Sequence, residues 1–113
     1  MDTLSLAIVA HLVGDYLLQN DWMATGKKQR HWICSVHVIA YLIPFLFLPL
    51  SWLSLVLIGI QHWLQDRWGF VGWYFKHSGK EAFSKPPMAP WSWIVVDNVF
   101  HLAWIVIVIA YLK

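Results

Sequence analysis

Four stretches of the sequence, residues 3–19, 32–50, 51–66 and 91–112, are apolar runs close to the span of a bilayer, for which about 20 residues are needed. A soluble chain would have to bury all four. At 113 residues, 59% hydrophobic and only 12% charged, it has too little polar surface to cover them. The chain is therefore expected to be all-α, a single polytopic membrane domain over residues 1–113 with about four transmembrane helices. The first and third runs are short and polar-ended, which implies local thinning of the bilayer or entry of water. The turn Leu48-Pro49-Leu50-Ser51 is all that joins the second run to the third, and it makes them an antiparallel hairpin. Met1-Asp2-Thr3 is acidic and no small-residue cleavage site follows, so the first run is expected to stay as a helix and not to be removed as a signal peptide.

Two crossings separate segments 20–31 and 67–90, which places both on one side. They carry Lys27, Lys28, Arg30, Arg67, Lys76, Lys80 and Lys85, seven of the eight basic residues. The positive-inside rule makes that side the cytoplasm and puts both termini outside it. Trp22, Trp32, Trp68, Trp73, Trp91 and Trp93 fall near the cytoplasmic ends of the runs, with Trp52 and Tyr111 at the other end, as an aromatic belt requires. Residues 69–83 mix Phe70, Trp73, Tyr74, Phe75 and Phe83 with Lys76, Lys80 and Glu81, the composition of a segment lying along the membrane surface as an anchor. A net charge of only +2, with the basic residues in loops, argues against a nucleic-acid partner. Cys34, the single cysteine, reads as a core thiol.

The runs are not purely apolar. The first contains His11 and Asp15, the third His62 and Asp66, the fourth Asp97 and His101, each pair four residues apart and so on one helical face. Chance placement of the six histidines and five aspartates gives about half of one such pair in either order, and the runs contain three. Runs one and three enter the membrane from outside and read His then Asp, whereas run four enters from the cytoplasm and reads Asp then His. In space the orders coincide, with His one turn deeper and Asp nearer the cytoplasm. His37 on the second run falls at a similar depth.

Ionisable groups at this depth are costly unless paired, hydrated or metal-bound, which makes such a cluster a functional hypothesis. Imidazole and carboxylate suit a divalent ion, Zn, Mn or Fe. The expected ligand set is His11, His37, His62 and His101 with Asp15, Asp66 and Asp97, some of the carboxylates acting instead as outer partners of the imidazoles. A structural reading competes, in which Asp–His hydrogen bonds hold helices together with help from Gln61, Gln65 and Asn98. His31 and His77 fall at the interface or in a loop, where solvation is the default. Ala7, Ala10, Gly14 and Gly59 mark close helix approaches.

The run Ala10 to Gln19 followed by Asp21-Trp22-Met23-Ala24, then His37 with Tyr41, His62 to Asp66, and Asp97 with His101, resembles a family of small four-helix bacterial and phage membrane proteins defined as a domain of unknown function, DUF3307. The resemblance covers nearly the whole chain and implies a bacterial inner-membrane location and a phage or bacterial origin. It implies no reaction. The residues themselves suggest a metal-dependent hydrolase of a lipid or phosphate-bearing substrate at the cytoplasmic leaflet, with Asp15 or Asp97 taking the proton from water. Membrane lipids are then the expected partners, and homo-oligomerisation is compatible with so small a bundle. Two other functions use or ignore the same residues: transport or binding of a metal ion or protons, and a holin-like structural assembly.

Overall fold

In a computed structural model that describes residues 2–112, the apolar runs fold as helices, and no strand forms among the described residues. Met1 and Lys113, the ends of the expected domain, lie outside them. Helix α1 spans Thr3–Leu12 and continues as a π-helical turn over Val13–Leu17. Asp2 caps its start, its carboxylate accepting from Ser5 N at 2.7 Å. Short α2 spans Asp21–Gly26 and α3 His31–Leu42, running on as a 3-10 turn over Ile43–Phe47. Pro44 accounts for the tightening: it has no N–H to offer the Ala40 carbonyl, which accepts from Ile43 N instead. Helices α4 (Trp52–Arg67), α5 (Phe70–His77) and α6 (Trp91–Tyr111) complete the chain.

Four helices close a ring, with α3 against α4, α4 against α6, α6 against α1, and α1 with its π turn back on α3 and the 3-10 turn. At one end of the ring the core is apolar, formed by Ala7, Ala10, Tyr41, Phe45, Ile58, Ile105 and Val108. The small residues sit where helices meet. A Cβ on Gly14 would lie 2.7 Å from the backbone oxygen of Tyr41, so α1 and α3 touch at a distance only glycine allows.

Among the described residues only α6, with 21 residues and a mean hydropathy of 2.1, is long and apolar enough to cross a membrane by itself. The helices Thr3–Leu17 and His31–Phe47 are apolar but shorter, even with the π turn and the 3-10 turn counted in. The expectation of four crossings is thus met by length in one helix, and the described residues form an all-α bundle with six α-helices. Two short helices occupy what reads in sequence as loop. Asn20 caps α2 by accepting from Met23 N, and Gly69, at φ 62°, turns the chain from α4 into α5. Val71 and Phe75 of α5 are buried, packing it onto α4 and α6, so this segment is part of the bundle as well as its edge.

Candidate metal centre

Polar side chains fill the ring beside the apolar core. His37, His62 and His101 are fully buried, and Asp15 and Asp66 are nearly so. The Nε2 atoms of His37 and His62 lie 3.1 Å apart. Each faces Asp66 Oδ2, at 3.1 and 3.0 Å, and Asp15 Oδ1, at 3.4 Å from both. A divalent ion bonded at about 2.0–2.1 Å to four tetrahedral ligands sets those ligands about 3.3–3.4 Å apart. Five of the six separations among the four atoms are therefore close to those of a tetrahedral ligand set. Their alignment points the same way, because Asp15 Oδ1 makes no hydrogen bond among the described residues despite its two close nitrogens. Two imidazole nitrogens at 3.1 Å can share only one proton, and an ion at the centre of the set satisfies all four atoms together.

The π turn brings Asp15 to this centre. Leu18 N reaches back five residues to Val13 O at 3.0 Å, widening the helix where Asp15 and Gly14 stand. Such widened turns recur at functional sites. A second group adjoins the first: Asp97, His101 and Asp15 have ligand atoms within 4.8 Å of one another. His101 Nε2 lies 3.3 Å from Asp66 Oδ1 and 3.5 Å from Asp97 Oδ1. Six of the seven residues expected as ligands are thus brought together.

His11 is not among them. Asn98 Nδ2 donates to the Ile94 carbonyl and to the Tyr16 hydroxyl, so Asn98 Oδ1 is the atom that faces His11 Nε2, at 2.7 Å, and accepts its proton. His11 Nδ1 then accepts from the Tyr41 hydroxyl at 2.8 Å. With both nitrogens used, His11 is a neutral brace between α1, α3 and α6. The α-helical register that would align it with Asp15 is lost in the π turn. We expect His11→Ala to lower the melting temperature of the detergent-solubilised protein while bound metal per folded chain stays at the wild-type level; loss of metal without loss of stability would return His11 to the ligand set. Tyr41, whose ring the brace orients, stacks on His62 at 3.8 Å, and His62 stacks on His101 at 3.9 Å.

A cavity of ≈ 270 Å³ opens on the site from the side of the basic loops. Its lining includes Asp15, Asp66 and Asp97 but none of the histidines, so the carboxylates face the opening and the imidazoles stand behind them. Lys27, at the end of α2, reaches in and donates to Asp66 Oδ2 at 3.0 Å, with its side chain 11% exposed. Burial alone would lower the pKa of this ammonium, but the Asp66, Asp15 and Asp97 carboxylates outweigh burial and raise it above the ordinary lysine value. Lys27 is therefore a charged member of the site that sequence reading takes for a topology signal; only the fold of α2 over the end of α4 reveals its reach. Arg67 secures that fold, donating to His31 Nδ1 at 2.8 Å, to Lys28 O at 2.7 Å and to Gln29 O at 3.1 Å. His31 is thus a clamp partner, and His77 Nδ1 lies 3.0 Å from Trp73 O. Cys34 is buried with its thiol toward Trp63 O, as a core thiol should be.

Outer contacts hold the ligands. Gln65 Nε2 donates to Asp97 Oδ1 at 2.8 Å and Asp97 O at 3.0 Å, Gln61 Nε2 donates to Gln65 Oε1 at 2.6 Å, and Gln61 Oε1 faces His101 Nδ1 at 3.2 Å. These glutamines form the network expected of helix-joining amides, and they end on a member of the second group.

The family model described as Protein of unknown function (DUF3307) matches residues 3–113, which take in every residue of the cluster. No curated protein and no solved structure matches the chain.

Proposed function

We propose that this chain, which belongs to the DUF3307 family of proteins of unknown function, is a metal-dependent hydrolase of the bacterial inner membrane, with its site at the cytoplasmic leaflet. The observation that carries the reading is the convergence of His37 Nε2, His62 Nε2, Asp15 Oδ1 and Asp66 Oδ2 at tetrahedral spacing. Because four protein ligands fill a tetrahedral set, a catalytic water would enter from the polar cavity in front of the carboxylates as a fifth ligand, the expansion that catalytic zinc sites undergo. A divalent ion held there lowers the pKa of a bound water toward about 7 and polarises the scissile bond.

The residues then divide the work. Asp15 and Asp66 hold the ion with His37 and His62. Asp97, with a side chain 27% exposed and oriented by Gln65 at Oδ1, is the carboxylate that would take a proton from water, through Oδ2. The water oxygen would bond to the carbonyl carbon or phosphorus as the bond to the leaving oxygen breaks, and Asp97 would pass the proton it took to that oxygen. Lys27 neutralises charge on Asp66 and offers a cation to an anionic substrate. The ≈ 270 Å³ cavity fits a head group, not a whole lipid. A longer apolar groove of ≈ 640 Å³ runs between α4 and α6 past Leu57, Ile60, Leu64, Phe100 and Ile107 and shares Gln65 with the cavity, which suits a substrate with an acyl chain.

Support for four membrane crossings comes from the inverted distribution of side chains. His11, Asp15, His37, His62, Asp66 and His101 are buried inside, while Val9, Ile39, Leu46, Ile60, Val99 and Ile107, drawn from all four ring helices, are about half exposed or more. Trp22, Trp32, Trp68, Trp73 and Trp91 are exposed toward the basic loops, and Trp52 and Tyr111 at the far end. Transport fits less well, because Ala7, Phe45, Ile58, Ile105 and Val108 close the far half of the bundle.

The test is release of product from a panel of lipid and phosphate-ester substrates by metal-loaded protein in lipid vesicles. Chelation should abolish turnover, and Asp97→Asn should lower kcat at least 100-fold with wild-type ion content at His37 and His62. Turnover unchanged by both treatments would refute a metal-dependent hydrolase.

A further inference from the structure

We propose that the cluster holds two divalent cations, the second bound between His101, Asp97, Asp15 and Asp66. This rests on the metal-site reading above and goes beyond it in number and arrangement. The Asp66 carboxylate is divided between the two positions, with Oδ2 facing His37 and His62 at 3.1 and 3.0 Å and Oδ1 facing His101 Nε2 at 3.3 Å. A carboxylate held in this way bridges two ions, and paired catalytic ions stand about 3.5–4 Å apart. Asp15 belongs to both groups, so two carboxylates are shared.

Donor bookkeeping on His101 is the independent observation. Asp97 Oδ1 can only accept, so the Gln65 amide presents its NH2 there and its oxygen to Gln61. The Gln61 amide spends its NH2 on that oxygen and turns its own oxygen to His101 Nδ1. Nδ1 must then carry the ring proton, the usual outer contact of a metal-bound imidazole. Nε2 faces two carboxylate oxygens, at 3.3 and 3.5 Å. That arrangement requires positive charge between them, which a cation supplies and a second ring proton would supply instead.

Formal charge also gives the second ion a purpose. One dication and Lys27 balance the carboxylates of Asp15, Asp66 and Asp97. A second dication leaves two positive charges in excess, which an anionic substrate offsets. Two ions therefore favour a phosphate ester over a neutral ester.

Chelator-stripped full-length protein in detergent, equilibrated with excess Mn²⁺ and freed of unbound ion, should retain two Mn per chain by mass spectrometry. Its electron paramagnetic resonance spectrum should be that of a coupled pair. His101→Ala should retain one uncoupled Mn, and Gln61→Leu, which removes the acceptor at His101 Nδ1 and the donor to Gln65 Oε1 but no ligand, should weaken the second ion at least tenfold. Saturation of wild type at one Mn, or two uncoupled ions, would overturn the second site while sparing the first; no bound Mn, Zn or Fe at saturation would remove both.

Discussion

Asp66→Asn is expected to abolish metal retention and to destabilise the bundle by about 3–5 kcal/mol, the range for removing one partner of a buried charge pair. No other side chain in the cluster meets so many of the rest: His37, His62 and Lys27 at Oδ2, His101 at Oδ1. The amide keeps the shape but loses the charge and half of the acceptor capacity, leaving the Lys27 ammonium buried with less to balance it. The double variant Asp66→Asn/Lys27→Met should regain part of the lost stability and none of the metal, since it removes the stranded charge without restoring a ligand. Thermal unfolding in detergent reads the first effect and bound metal the second. An Asp66→Asn protein that melts with wild type and keeps its ion would show that these contacts are incidental.

Gly14→Ala should cost about 1–3 kcal/mol, the usual penalty for overpacking a fitted contact. The new Cβ would meet Tyr41 backbone oxygen and Cδ1 at 2.7 Å and Tyr41 Cα at 3.1 Å. A side-chain tip could swing away, but backbone cannot, so α1 and α3 must part. The damage should reach the site, because Tyr41 stacks on His62 and its hydroxyl braces His11. We therefore expect weaker metal binding as well as a lower melting temperature. Gly72→Ala is the control: its Cβ would approach only the Trp93 ring, at 3.3 Å, and relief of helix-glycine entropy offsets that by up to about 1 kcal/mol. Equal effects at the two glycines would mean that the α1–α3 contact is not tight.

Much of this architecture is written in local pattern. Apolar runs long enough for helices, a Pro-containing turn between the second and third, and His and Asp four residues apart are all visible without coordinates. The reversal of His and Asp order between runs even anticipates that the carboxylates face the cavity and the imidazoles lie behind. What escapes the pattern depends on departures from regular geometry or on long-range reach. His11 drops out of the ligand set because a π turn intervenes between it and Asp15, and nothing in Val13-Gly14-Asp15-Tyr16-Leu17 announces that turn. Lys27 enters the site because Asn20 caps α2 and Arg67 pins residues 28–31 over α4, four contacts no spacing rule connects. Gln61 acquires meaning only when the amide orientations are followed from Asp97 to His101.

The central claim is that His37, His62, Asp15 and Asp66 form a ligand set and not a hydrogen-bonded seam between helices. Metal content of protein purified gently in detergent, wild type beside His62→Ala, measures this most directly. The account predicts at least one Zn, Mn or Fe per wild-type chain and its loss or halving in the variant, with helical circular dichroism unchanged. A wild-type chain that takes up no ion even when equilibrated with each of the three would contradict it, and would make the cluster a network of buried hydrogen bonds.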